Sequence, residues 1–220
     1  MKPLVPALIA AAALSISAAA SAAPCTSSGG APLGGATTDD ATLSLNGGAP
    51  VEANACHVST LGNGGNTDGT LLANAYGGDT FTQIAKFGES NGSFLGIDFT
   101  LTATGATSGS TSGTWTLSWS GGPANLDLVF AIHASNRTGS FLFDDQPLVA
   151  DSEGTGEWRI EWVNNGGNIP EFSNLTVWAR QGSGDVPPED PPGQLIPVPG
   201  SAALLGIGLA GLGLIRRRKG

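Results

Sequence analysis

The 220-residue chain holds 34 glycines and 14 prolines, only 12% of its residues are charged, and its formal net charge is −9. Lys2 and the cluster Arg216–Lys219 stand at the two ends. The stretch between has four cations (Lys86, Arg137, Arg159, Arg180) against 18 acidic residues, a net −14. Such a surface excludes nucleic acid and anionic lipid as partners, and the abundance of Gly, Thr, Ser and Asn favours strands and turns over helices.

Residues 1–23 read as a secretory signal peptide. Lys2 is the positive n-region, Leu4 to Ile16 the apolar h-region, and Ala20-Ser21-Ala22-Ala23 a small-residue cleavage site. Cleavage after Ala22 or Ala23 starts the mature chain next to Pro24 and Cys25. Lipidation of Cys25 is the rival reading, but Pro24 directly before it, without a leucine-and-small-residue lead, argues against a lipoprotein. Two cysteines in an exported chain, Cys25 and Cys56, predict one disulfide. Closing a loop of about 30 residues contributes roughly 3–4 kcal/mol in the chain-entropy model. The alternative makes Cys56 a nucleophile beside His57, although adjacent residues rarely bring sulfur and imidazole into productive contact.

Residues 24–181 read as one exported domain, because strand signals of period two recur from residue 40 onward. Leu95, Ile97, Phe99 and Leu101 alternate with polar residues, as do Trp115, Leu117 and Trp119. Leu126, Leu128, Phe130 and Ile132 form a third strand; Trp158, Ile160 and Trp162 a fourth. Weaker strands fall at 41–45, 80–87, 140–143 and 174–180, and Gly-, Asn- and Pro-rich joints such as Gly121-Gly122-Pro123 separate them. One-sided alternation means half-buried antiparallel sheets, so the expected fold is all-β, a single antiparallel jelly-roll-like β-sandwich without a helix between the terminal signals.

The five tryptophans could stack on sugars, but four lie on the apolar side of alternating strands and read as core. Trp178, in phase between Thr176 and Arg180 and opposite Leu175 and Val177, is the expected surface aromatic and possible ligand contact. Asp144, Asp145, Asp151 and Glu153 are the densest carboxylates, hard oxygen donors of the kind calcium takes, though their order is not that of an EF-hand loop. A solvated acidic surface is the plainer account, and no cofactor is expected. Catalysis has no motif behind it: Gly109-Ser110-Thr111-Ser112-Gly113 has threonine where a nucleophile elbow needs serine, and His57 and His133 are the only histidines. The domain therefore reads as non-enzymatic.

Residues 182–196 carry four prolines (187, 188, 191, 192) with Asp185, Glu189 and Asp190, an extended, solvated linker. The tail 197–220 has three parts. Pro197-Val198-Pro199 is extended by its prolines; residues 201–215 are apolar and uncharged; Arg216, Arg217, Arg218 and Lys219 form a basic stop-transfer cluster. A helix of roughly 15 residues spans about 22 Å against a bilayer core of about 30 Å, a marginal transmembrane segment.

Pro197-Val198-Pro199-Gly200, the apolar run and the terminal basic cluster, in that order, resemble a PEP-CTERM sorting signal, with Val198 at the position where the family usually has glutamate. The resemblance implies an exosortase-type membrane processing enzyme as partner, after an export translocon. It implies anchoring in the inner membrane by the tail before processing, then the cell surface or an exopolysaccharide matrix. Residues 126–180 loosely resemble the unclassified sandwich domains found ahead of such tags. Two roles are thus expected for the domain: a structural surface or matrix protein, or a carbohydrate-binding or carbohydrate-active module in the same setting.

Overall fold

The computed structural model describes residues 22–28, 33–59, 68–89 and 91–185. The h-region, the sorting motif Pro197-Val198-Pro199, the 201–215 segment and the basic cluster 216–219 lie outside the described residues. Among the described residues no helix is long and apolar enough to cross a membrane.

The domain is all-β apart from one helix and one 3-10 turn, Thr38–Asp40. Its strands are β1 Thr26–Ser27, β2 Thr42–Leu45, β3 Val51–Glu52, β4 Ala55–Ser59, β5 Thr82–Lys86 and β6 Gly92–Phe94. They continue as β7 Ile97–Thr104, β8 Ser112–Ser120, β9 Ala124–Ala134, β10 Arg137–Leu148, β11 Glu153–Arg159 and β12 Phe172–Gln181. Two six-stranded sheets result. Sheet I runs β1-β4-β10-β9-β12-β5 and Sheet II runs β3-β2-β11-β8-β7-β6. Every pairing is antiparallel except β1 with β4, a departure from a purely antiparallel fold.

The alternation read from the sequence turns inward as expected. Leu126, Leu128, Phe130 and Ile132 of β9 share one core with Phe99, Leu101, Trp115, Leu117, Trp119 and Trp158 of Sheet II. The Trp115 ring stacks on Phe130 with centroids 3.9 Å apart. Inward indoles approach glycines closely. A Cβ at Gly156 would stand 2.4 Å from the Trp115 ring, and one at Gly139 2.5 Å from the Trp162 ring. Glycine at these places makes room for the largest side chain, which is worth more in buried area than the strand propensity it gives up.

Three details differ from the sequence reading. Leu95 is not an inward strand residue: with Gly96 it forms the two-residue turn of the β6–β7 hairpin, both at positive φ (52° and 77°), and it is exposed. Ile160 and Trp162 are buried but lie beyond the end of β11. A helix does exist, α1 at Gly69–Tyr76, capped by the Asp68 carboxylate accepting from Leu71 N–H at 2.8 Å and stopped at Gly77, φ 73°. Its Leu72 and Tyr76, four residues apart on one face, pack with Phe81 on the outer side of Sheet I against Val129, Ala131, Leu142 and Trp178.

Candidate functional site

The N-terminal junction begins at the cysteines. Cys25 and Cys56 form a disulfide with Cα atoms 4.7 Å apart, and both are buried. The bond removes Cys56 as a nucleophile. His57, on the opposite face of β4, hydrogen-bonds Thr26 Oγ1 at 2.8 Å and Ser28 Oγ at 3.0 Å, so it fastens the short β1 strand. Burial pushes the His57 imidazole below its ordinary pKa. His133 is half-buried and pairs with Thr138 Oγ1 at 3.1 Å. Among the described residues neither imidazole bonds a carboxylate, so neither has the third member a hydrolytic triad needs.

Trp178 is not a surface aromatic. It is 8% exposed, lies under α1 and donates its indole N–H to Thr176 Oγ1 at 3.0 Å. Beside it Arg180 pairs with Asp127 at 2.7 Å, lies 4.4 Å from the Phe81 ring centroid and donates to the Gly77 carbonyl. Helix cap, ring and ion pair thus lock α1 onto Sheet I. Sequence reasoning missed this group, because only strand register places residue 180 across from 127.

The carboxylates singled out for calcium are spread along one end of the domain. Asp145, in the β10 bulge, donates its backbone N–H to Asp127 and accepts from Gly184 N–H at 2.7 Å and Ser183 hydroxyl at 3.0 Å. Those donors hold the Asp145 pKa below its ordinary value, while desolvation and the neighbouring Asp127 raise that of Asp144. Asp151 accepts from Gly121 N–H at 2.8 Å, and Glu153 is exposed on β11. Among the described residues no group of three or more His, Cys, Asp or Glu side chains is arranged to hold a metal ion. Asp145 instead fastens the segment that leads into the linker.

Two surface grooves among the described residues bear on function. One, of about 550 Å³, is lined by Gly34, Gly35, Thr111, Arg159, Glu161 and Ile169 among others. Arg159 there pairs with Asp39 at 2.9 Å and stands 3.3 Å from the wholly buried Asp40. Desolvation pushes the Asp40 carboxyl up to about 6, against the bond it accepts from Thr37 N–H. The hydroxyl of Thr37 and then Arg159 hold Asp39 low.

The second groove, about 500 Å³, lies on the outer face of Sheet II, floored by Thr42, Ser44, Thr114, Thr116 and Thr155 and bounded by Pro50 and Glu157. Register explains the hydroxyls: Thr102, Thr116, Thr155 and Ser44 stand in one row across four strands, with Thr104 and Thr114 in the next. Strand spacing sets them about 4.8 Å apart across the row. Glu157 is the single charge in this lining, so the groove suits neutral, hydroxyl-bearing ligands and disfavours anions. No tryptophan supplies a stacking platform: all five are buried, none more than 8% exposed.

No family model matches the chain, and neither a curated protein nor a solved structure is significantly similar to it.

Proposed function

We propose that this is an exported, non-enzymatic protein of the cell surface or extracellular matrix. Its β-sandwich, jelly-roll-like in outline, is delivered by the signal peptide at 1–23 and sorted by the PEP-CTERM-like tail at 197–220. In this reading residues 201–215 hold the protein in the inner membrane, an exosortase-type enzyme processes the tail, and the domain joins a matrix rich in exopolysaccharide. One observation carries the export reading. Cys25, two or three residues past the expected signal cleavage site, is disulfide-bonded to Cys56, and such bonds form and persist in oxidising compartments. A hydroxyl-rich, acidic composition, whose net charge favours solubility, supports the matrix role. The test is deletion of residues 197–220 followed by cell fractionation. The full-length protein should divide between inner membrane and surface, and the truncated one should collect in soluble form outside the cytoplasm. Identical distributions would remove the sorting role.

A second reading, a carbohydrate-binding module, is favoured by the groove over Thr116 and Thr155 and by its hydroxyl lining, in which Glu157 is the single charge. The burial of every tryptophan weighs against it, because ring stacking is what usually holds a pyranose on a sheet. A glycan array with and without calcium separates the two: retention of any neutral glycan, abolished by Thr116→Trp, supports the module, and a flat array leaves the structural role.

A further inference from the structure

Arg137 opens β10 on the side of Phe141 and Phe143, so its side chain enters the core at the end of the domain where β9 turns into β10. It is 1% exposed. Its Nη2 donates to Asn165 Oδ1, while Nε and Nη1 have no hydrogen-bond partner. The other three cations of the domain are each more exposed and each paired: Lys86 with Glu89, Arg159 with Asp39, Arg180 with Asp127. Among the described residues the one cation–π contact belongs to Arg180, not to Arg137. In a chain with twice as many acidic as basic residues, the most deeply buried cation is therefore the one without a carboxylate.

That is a costly arrangement. A guanidinium cannot shed its proton to escape burial, and an uncompensated buried charge destabilises a fold strongly. The 164–168 turn above it is closed by its own hydrogen bonds and not by a charge that would neutralise Arg137. Asn164 Oδ1 accepts from Gly166 and Asn168 N–H at 2.9 and 3.1 Å, Gly167 sits at φ 77°, and the side-chain bond from this turn to Arg137 is the neutral amide of Asn165. We propose that Arg137 is the floor of a binding site for a small monovalent anion, a halide or a short carboxylate, that enters beneath the 164–168 turn and takes up the unpartnered donors. The acidic surface keeps polyanions out.

The test uses full-length protein in a mild detergent and follows thermal unfolding while chloride or acetate replaces bulky gluconate at constant sodium. One of the two should raise the melting temperature along a saturable curve, by roughly 5–10 °C at a hundredfold excess over its Kd. Which one responds tells halide from carboxylate. Arg137→Met should fold and lose the saturable response. If that variant does not fold, Asn165→Ala serves instead, and its anion midpoint should move severalfold. A wild-type protein indifferent to both anions, an Arg137→Met protein that responds as the wild type does, or an unchanged midpoint in Asn165→Ala overturns the site.

Discussion

The two sheets share a core but meet the outside differently. Sheet I is buried on both faces around β9, where Val129 and Ala131 point away from the sandwich core into a second apolar cluster under α1. Sheet II is dry within and wet without, its outer face a lattice of threonines and serines flanking a shallow groove. Apolar side chains and the locked Arg180–Asp127 pair on the first outer face mean stability resides there; the second outer face carries hydroxyls, a few of them bonded to the backbone, as Thr42 Oγ1 accepts from Glu157 N–H at 3.0 Å. Substitutions on the two outer faces should therefore behave oppositely.

Trp178→Ala, on the outer face of Sheet I, should be the most damaging, lowering stability by about 3–5 kcal/mol as buried Trp-to-Ala changes do and loosening α1. Chemical denaturation measures it, and a loss under 1 kcal/mol would mean that α1 does not shield this face. Cys56→Ser should cost about 3–4 kcal/mol on the loop of 31 residues closed by the bond. The variant should still fold, because most of the shared core lies in β7 to β12, but its N-terminal segment should become sensitive to protease. Limited proteolysis with N-terminal sequencing of the fragments checks this.

Asp40 sharpens the comparison at the junction where the N-terminal segment meets β11. Its folded pKa of about 6 lies above the ordinary 3.8, so between these values the folded chain holds a proton that the unfolded chain has released. The stability this provides is complete below about pH 4 and is lost as pH rises through 6. Asp40→Asn should therefore stabilise the protein at pH 8 by about 1–3 kcal/mol, with the gain vanishing toward pH 4. Melting curves of both proteins across that range test it; a gain independent of pH would mean the carboxyl does not titrate there. The smallest effect is expected on the outer face of Sheet II. Thr116→Ala should change the stability by less than about 0.5 kcal/mol, as substitutions at partly exposed positions away from special features do. A larger loss by denaturation would make the hydroxyl rows structural.

What was legible in the sequence follows the same division. The strands of Sheet II announce themselves because one face is wet: Trp115-Thr116-Leu117-Ser118-Trp119 can be read only one way. In β9 the inward set was equally clear, but Val129 and Ala131 interrupt the polar phase and already say that something apolar covers the other side. Helix α1 went unread because eight residues give barely two turns of periodicity; its signal was Asp68 as cap and Gly77-Gly78 as stop. Trp178 sits on the outer face, as its phase required, but phase cannot say that α1 covers that face. The partner of Arg180 depends on register between strands far apart in the chain, and those of Arg159 on where the 3-10 turn meets β11, neither of which alternation encodes. The disulfide was legible from cysteine number and context alone.

The central claim is that export brings this domain to an oxidising compartment and that sorting then acts on its tail. Intact-mass and peptide-mapping spectrometry of the protein recovered from outside the cytoplasm, with free thiols blocked beforehand, tests it most directly. The account predicts a mature chain beginning at Ala23 or Pro24, a Cys25–Cys56 crosslinked peptide without blocked thiols, and no Arg216–Lys219 cluster on the surface-located fraction. A chain that keeps Met1 and the basic cluster and carries two blocked cysteines would contradict it.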